Sequence, residues 1–325
     1  MTAPPEEAAL ATFLALRGGL VRLAHRLTGS LAEAEDTVQD AFLRWQAQAP
    51  GSIENPEAFL RTIVGRLALD RLRSARHRRE VYVGPWLPEP VVEALEAPQQ
   101  EGLIERETVS TAFMLALERL TPRERAAFVL HDLFAMPFSE IARIIERPEA
   151  SCRKLAERAR LHVRLPERRV VMSADVKSGW AKAFFMAARN GDVEALTRML
   201  AADATLVTDG GGVRSSALRR IEGAARIARF FAGLARKYGR RTGPVAMATI
   251  DGQPGYVTLE QDGLPQTTAL AVEGDRIVAI YILRNPAKLA PLPWRALVDT
   301  GDTPIRAGEE RVNAGDVPRR PRRSP

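Results

Sequence analysis

Ser151, Arg153, Lys154, Arg158 and Arg160 fall on one side of a single helical stretch, opposite the apolar Cys152, Leu155, Ala159 and Val163. That pattern suits duplex DNA. Side chains near the start of such a helix reach base edges in the major groove, and the later arginines hold phosphate. A solvated cationic face would look the same on its own, so the flanking elements have to decide. From Arg147 to Arg169 there are eight Lys or Arg against three Glu. Upstream, Thr121-Pro122-Arg123-Glu124 places a hydroxyl at an N-cap, proline at the first helical position and glutamate at the third, which marks a helix start. Ala127, Phe128, Leu130 and Leu133 then form one apolar stripe. Ser139 is expected to cap a second short helix with Ile141, Ile144 and Ile145 inward, and Arg147-Pro148-Glu149 breaks and restarts the chain. Residues 117–163 therefore predict a helix-turn-helix.

Two further charged elements precede it. Phe13, Leu16, Leu20, Leu23 and Leu27 predict a long amphipathic first helix, closed by Thr28-Gly29-Ser30. The next helix buries Leu31, Ala34, Val38, Ala41 and Trp45, while Glu33, Glu35, Asp36 and Asp40 make its first half acidic, as suits a helix N-terminus. After a loop at Asn55-Pro56, a third helix has Phe59, Leu60, Ile63, Val64, Leu67 and Leu72 on its core side. Between Glu57 and Glu80 it carries seven arginines against three acids.

Composition sets bounds on the whole. With 325 residues the chain is long enough for two or three domains, and 46% hydrophobic residues suffice for real cores. A net charge of +7 and a pI near 10.0 favour a polyanionic partner. The single cysteine, Cys152, excludes an intramolecular disulfide framework and points to a reducing cytoplasm. The start, MTAPPEEAAL, lacks the features of a signal peptide, and no run of apolar residues is long enough for a membrane span.

The segments AEDTVQDAFLRW and NPEAFLRTIVGRLALDRLRSARHRR, followed by the helix-turn-helix ending SCRKLAERAR, together resemble a bacterial extracytoplasmic-function (ECF) sigma factor over residues 10–165. The resemblance implies that Asp36, Gln39, Asp40, Phe42 and Trp45 bind core RNA polymerase. It implies that Asn55, Arg66, Arg71, Arg73 and Arg76 open and hold the promoter −10 element. It also implies that Ser151, Arg153, Lys154, Arg158 and Arg160 read the −35 element. Physics agrees: splayed single strands want a cationic groove, and duplex DNA wants a helix in its major groove.

The implied organisation is a region 2 domain at 1–80, an acidic, proline-containing linker at 81–107 and a region 4 helix-turn-helix domain at 108–169. The 27 linker residues span at most roughly 90 Å when extended, against roughly 70 Å for two turns of B-DNA. From Glu89 to Glu107 the linker holds six glutamates and one arginine. Trp86 is a large apolar ring that a bare tether does not need.

Beyond Arg169 the pattern changes. Asp175 to Leu200 reads as helix broken at Gly191-Asp192, then a strand at Ala204–Thr208, and then a helix from Ile221 to Tyr238. Val245–Ile250, Gly255–Glu260, Gln266–Val272 and Arg276–Leu283 read as strands separated by turn signals at Gly252, Asp262-Gly263 and Glu273-Gly274-Asp275. Helices followed by a meander define an α+β cone. The segment 174–290 resembles the SnoaL-like branch of the nuclear-transport-factor-two-like superfamily. Three motifs sharpen the likeness to sigma factors carrying such a fusion: Trp86-Leu87-Pro88-Glu89-Pro90, Asp209-Gly210-Gly211-Gly212-Val213, and Asn285-Pro286-Ala287-Lys288-Leu289. In that subfamily the second motif usually ends in Lys and the third has Asp at its centre; here those positions are Val213 and Ala287. The resemblance implies a built-in regulator, with the first motif docked against the other two. The tail, 291–325, ends RRPRRSP and reads as disordered and basic.

The fold class is thus multidomain: two all-α sigma domains followed by an α+β SnoaL-like cone. The expected partners are core polymerase, promoter DNA and the cone itself, with no membrane. A SnoaL-like pocket also implies room for a small-molecule ligand. No cofactor fingerprint, metal-ligand spacing or nucleophile–base pair stands out. All four histidines lie in the sigma half, so proton chemistry in the cone would fall to Asp209 or another carboxylate. The competing reading is a DNA-binding regulator fused to a ligand-binding or enzymatic cone.

Overall fold

A computed structural model describes residues 5–48, 52–80, 82–94, 110–163, 172–239, 245–260 and 262–292. The acidic stretch 95–109 and the tail from 293 onward lie outside them. Among the described residues, no helix is long and apolar enough to cross a membrane. They fall into two compact units.

The first unit is all-helical. Helices α1 (Pro5–Thr28), α2 (Leu31–Gln46) and α3 (Pro56–Glu80) pack on one another. Each boundary has a local cause. Gly29 takes φ 77° after α1, the Ser30 hydroxyl accepts from Glu33 N at 3.2 Å to start α2, and Asn55 Oδ1 accepts from Ala58 N at 3.0 Å to start α3. Phe13, Leu20, Leu23, Leu27, Val38, Leu60 and Val64 are buried between them.

Helices α4 (Thr111–Glu118), α5 (Pro122–Phe128), α6 (Phe138–Ile145) and α7 (Glu149–His162) follow. The Thr121/Glu124 capping box forms as the sequence predicts. Helix α5 runs into a π-helical turn, Val129–Leu133. Ser139 is not a cap: α6 begins one residue earlier, at Phe138, with Pro137 in the cap position and no side-chain cap bond. Glu146 is left-handed at φ 59° and turns the chain into α7, whose Cys152, Leu155, Ala159 and Val163 are buried as expected. Helix α3 packs on α5 and α6. A Cβ at Gly65 would stand 3.0 Å from Ile144 Cδ1, so glycine permits this approach.

The second unit is α+β. Helices α8 (Ala174–Asn190), α9 (Val193–Met199) and α10 (Ala224–Tyr238) pack on a seven-stranded sheet. Its strands are β1 (Val92–Ala94), β2 (Leu200–Asp209), β3 (Ile221–Glu222), β4 (Val245–Ile250), β5 (Gln253–Leu259), β6 (Pro265–Glu273) and β7 (Arg276–Leu283). A short α11 (Pro286–Leu289) ends it. The order is β1-β4-β5-β6-β7-β2-β3, antiparallel except for the parallel pair β2/β7. Two elements depart from expectation. Ile221-Glu222 pairs with Thr205 and Leu206 as a strand, and the helix starts only after Gly223, which has φ 93°. Linker residues Val92–Ala94 add a strand to the edge of β4. Trp180, Phe184, Phe231, Tyr256, Leu270 and Ile280 sit at the centre of the core.

Candidate functional site

On α2, Asp36 and Gln39 are exposed, Phe42 is half-buried, and Trp45 is 9% exposed, facing the helical core rather than the surface. Phe42 lies between Phe13 and Trp45, tilted against the first and edge-on to the second, at centroid distances of 4.3 and 6.5 Å. Asp40 is engaged by Arg71 at 2.7 Å, and Arg71 also approaches Asp36 at 3.7 Å and donates to the Glu33 carbonyl. Arg71 thus links the acidic helix and the arginine helix at their surface.

Among the expected −10 residues, Asn55 doubles as the α3 cap, Arg66 donates to the Arg143 carbonyl at 3.0 Å, and Arg73 pairs with Asp70 at 3.0 Å. Arg76 lies on α3, and its side chain is outside those described. On α7, Arg153, Lys154, Arg158 and Arg160 are exposed and Ser151 is half-buried. Three of the four cations have partners: Arg153 with Glu149 at 3.0 Å, Arg158 with Glu124 at 3.1 Å and Arg160 with Asp132 at 2.8 Å. Burial opposes ionisation of Glu124, but the Thr121 hydroxyl and backbone N–H, helped by Arg158, hold its carboxyl below the usual range.

Sequence reasoning missed Arg125. It is 1% exposed, donates from Nε to the Arg26 carbonyl at 3.0 Å and pairs with Glu118. A cation spaced like the surface charges around it gave no signal of burial. Next to it, His25 has its pKa pushed down to about 3, first by burial and then by the Arg26 and Arg125 charges.

In the second unit the three short motifs meet. Asp209, at the end of β2, is 0% exposed. Its carboxylate accepts from the Tyr82 hydroxyl at 2.6 Å, Leu87 N at 2.9 Å, Gly211 N at 2.9 Å and Lys288 Nζ at 2.6 Å. Lys288 also donates to the Leu87 carbonyl at 2.5 Å and lies 4.2 Å from the Trp86 ring centroid and 4.9 Å from that of Tyr82. Asn285 caps α11 and donates to the Tyr82 hydroxyl at 2.7 Å. Leu87, Pro88, Pro90, Gly210 and Leu289 are buried; Glu89, Gly211 and Pro286 are half-buried, and Gly212 is exposed. Burial, then the hydrogen bond and charge of Asp209, raise the Tyr82 pKa far above that of a free phenol. Tyr82 was not anticipated; a single aromatic ahead of Gly84-Pro85 was the available hint. Val213, where a Lys is usual, is exposed, while Arg214 beside it turns inward to Asp262 at 2.9 Å and to the Pro265 carbonyl at 2.9 Å.

A three-helix acidic and arginine-rich unit, a helix-turn-helix and an α+β domain holding the segment before region 4 define a class: sigma factors with a C-terminal extension. Residues 12–78 match the family Sigma-70 region 2, and residues 110–163 match Sigma-70, region 4. The chain belongs to the ECF RNA polymerase sigma factors. It is 39% identical over 302 residues to the ECF RNA polymerase sigma factor SigJ of Mycobacterium tuberculosis, covering 89% of this chain and 96% of that one. It is 31% identical over 289 residues to the probable ECF RNA polymerase sigma factor SigI of the same organism, covering 87% and 95%. The crystal structure of M. tuberculosis SigJ superimposes with a TM-score of 0.72 at 36% identity, over 87% of this chain and 99% of that one. The protein is therefore a transcription initiation factor that directs RNA polymerase to promoters.

Proposed function

We propose that this sigma factor is regulated in cis by its C-terminal α+β domain, through the hold that Asp209 and Lys288 keep on the segment Tyr82–Leu87. The observation that carries the proposal is the fully buried Asp209 carboxylate with donors from all three motifs. A free tether needs no such contacts. In this reading residues 1–80 engage polymerase through Asp36 and Gln39 and the −10 strand through the α3 arginines. Residues 108–169 engage the −35 duplex through α7, and the factor acts in the cytoplasm. The linker hold sets how the two DNA-binding modules can be spaced.

Enzymatic use of Asp209 finds no support, because the linker occupies its carboxylate on both oxygens. Run-off transcription with purified core polymerase tests the reading. The full chain is compared with chains ending near Arg169 and just after Leu289. Activity that changes when the domain is removed, together with non-additive effects of Trp86 and Asp209 substitutions, is expected. Activity indifferent to truncation overturns regulation in cis, and core binding unchanged by Asp36→Arg overturns the assigned polymerase face.

A further inference from the structure

The linker has a second hold, outside the three motifs. Strands β4 and β5 meet in a two-residue turn, Asp251-Gly252, with φ of 49° and 71°. Two left-handed residues form the turn that suits a hairpin's twist, and Asp-Gly is a favoured pair there. An aspartate at such a tip is ordinarily solvated, yet Asp251 is 5% exposed. Val91 N donates to its Oδ1 at 2.9 Å, Asp251 N donates to the Val91 carbonyl at 2.8 Å, and the Thr111 hydroxyl donates to Oδ2 at 2.5 Å.

These partners lie far apart in sequence. From Val91 the chain continues into β1, with Val92 opposite Ile250. Thr111 is the first residue of α4, within the segment matched as region 4. One carboxylate therefore binds the residues on either side of the 19-residue stretch 92–110, Val91 before it and Thr111 after it. Glycine would serve the turn at least as well, so the carboxylate does more than the hairpin requires.

We propose that Asp251 is a positioning residue for promoter recognition: it decides whether residues 92–110 add to the reach between regions 2 and 4. While Asp251 holds Val91 and Thr111, those residues add no reach. Once released, they can span up to about 60 Å. The inference rests on regulation in cis and identifies where the chain must open for the modules to separate.

The test uses the full chain. Asp251→Gly keeps the turn and deletes the carboxylate; Thr111→Val deletes the hydroxyl at nearly constant shape; Thr111→Ser restores it. Exchange of the Val91 amide is measured, together with holoenzyme transcription from promoters whose spacer is lengthened or shortened by one and two base pairs. Asp251→Gly should speed Val91 exchange by about tenfold or more, the worth of its one hydrogen bond to a charged group, whereas Thr111→Val leaves that bond in place and frees only the other carboxylate oxygen. Both should flatten the spacer-length profile, with no further flattening in combination, and Thr111→Ser should behave as the parent.

Faster exchange with an unchanged profile reduces Asp251 to a fold-stabilising residue and overturns the proposal. Unchanged exchange in Asp251→Gly overturns it too, by removing the contact. Asp209→Asn run in parallel separates the two readings. A profile altered by Asp209→Asn but not by Asp251→Gly defeats only the second hold, and a profile altered by neither defeats regulation in cis.

Discussion

Replacing Lys288 by methionine keeps the length of the side chain and removes its charge. The ammonium sits 2.6 Å from Asp209, in a pair whose side chains are 11% and 0% exposed. Removing one partner of a buried pair costs about 3–5 kcal/mol, because the other charge stays buried. Asp209 keeps donors from Tyr82, Leu87 and Gly211, so we place the cost at the lower end, about 3 kcal/mol. The contacts of Lys288 with Trp86 and Tyr82 are part of the same network and are not added separately. The reporter is the Leu87 amide, which donates to Asp209 from a residue 2% exposed. Its exchange in the full chain should accelerate about 100-fold in Lys288→Met. Tyr82→Phe deletes one hydrogen bond to the carboxylate, worth about 1.5–3 kcal/mol, and the double variant should fall short of the sum. An acceleration below about tenfold would give this pair no more weight than a solvent-exposed ion pair, and the docking argument would fail with it.

Three other outcomes follow from named contacts. The His25 pKa falls from 6.5 to about 3 on folding, so between those values the unfolded chain binds the extra proton. The stability from keeping His25 neutral is complete above its unfolded pKa and declines on acidification by about 1.4 kcal/mol per pH unit, or about 2 kcal/mol by pH 5. Urea titrations at pH 7 and pH 5 should show that loss shrinking in His25→Leu, and an equal loss in parent and variant would refute the assignment. In Gly211→Ala the new Cβ would stand 2.5 Å from Asn285 Cγ at φ 67°, whereas Gly239→Ala at φ 68° meets nothing within 4 Å. Leu87 exchange should speed up sharply in the first and not in the second, although Gly239, at φ 68° and ψ −171°, sits in a region essentially restricted to glycine and its variant carries backbone strain without the clash. Arg125→Met should lower stability in urea by about 3–5 kcal/mol by removing one member of a buried ion pair, and combining it with Glu118→Gln should recover part of the loss.

What the sequence made legible was local. Thr121-Pro122-Arg123-Glu124 announces α5 because a capping box satisfies its own backbone donors, and that box is present. The apolar stripe of α7 repeats at helical spacing, so its buried face could be assigned residue by residue. What stayed hidden depends on distant partners. Ile221-Glu222 is a strand only because β2 lies beside it. Val92–Ala94 is a strand only because β4 offers an open edge. The Asp-Gly turn was visible at Gly252, but nothing near Asp251 announces Val91 or Thr111, which are 160 and 140 residues away in sequence. Trp45 continues the inward face of α2, as its place in the helical apolar pattern foretold.

The charged contacts divide by strength in a way that bears on mechanism. Arg153, Arg158 and Arg160 pair with Glu149, Glu124 and Asp132 while staying 45–61% exposed themselves. Such pairs contribute about 0–1 kcal/mol each, so a phosphate can displace the carboxylate at little cost while counterions are released from DNA. Arg73 with Asp70 on α3 is of the same kind. The linker contacts differ: Asp209 and Asp251 are both buried, and each receives hydrogen bonds from backbone and side-chain donors. Under the proposed roles, DNA exchanges with the surface pairs without opening the linker, and it does not open the linker by competing for those pairs. On the proposed regulation in cis, a spacing that the closed linker does not permit is driven by the summed free energy of binding polymerase and both promoter elements. The linker holds then set a threshold, so weak promoters should gain more than strong ones when either aspartate is removed.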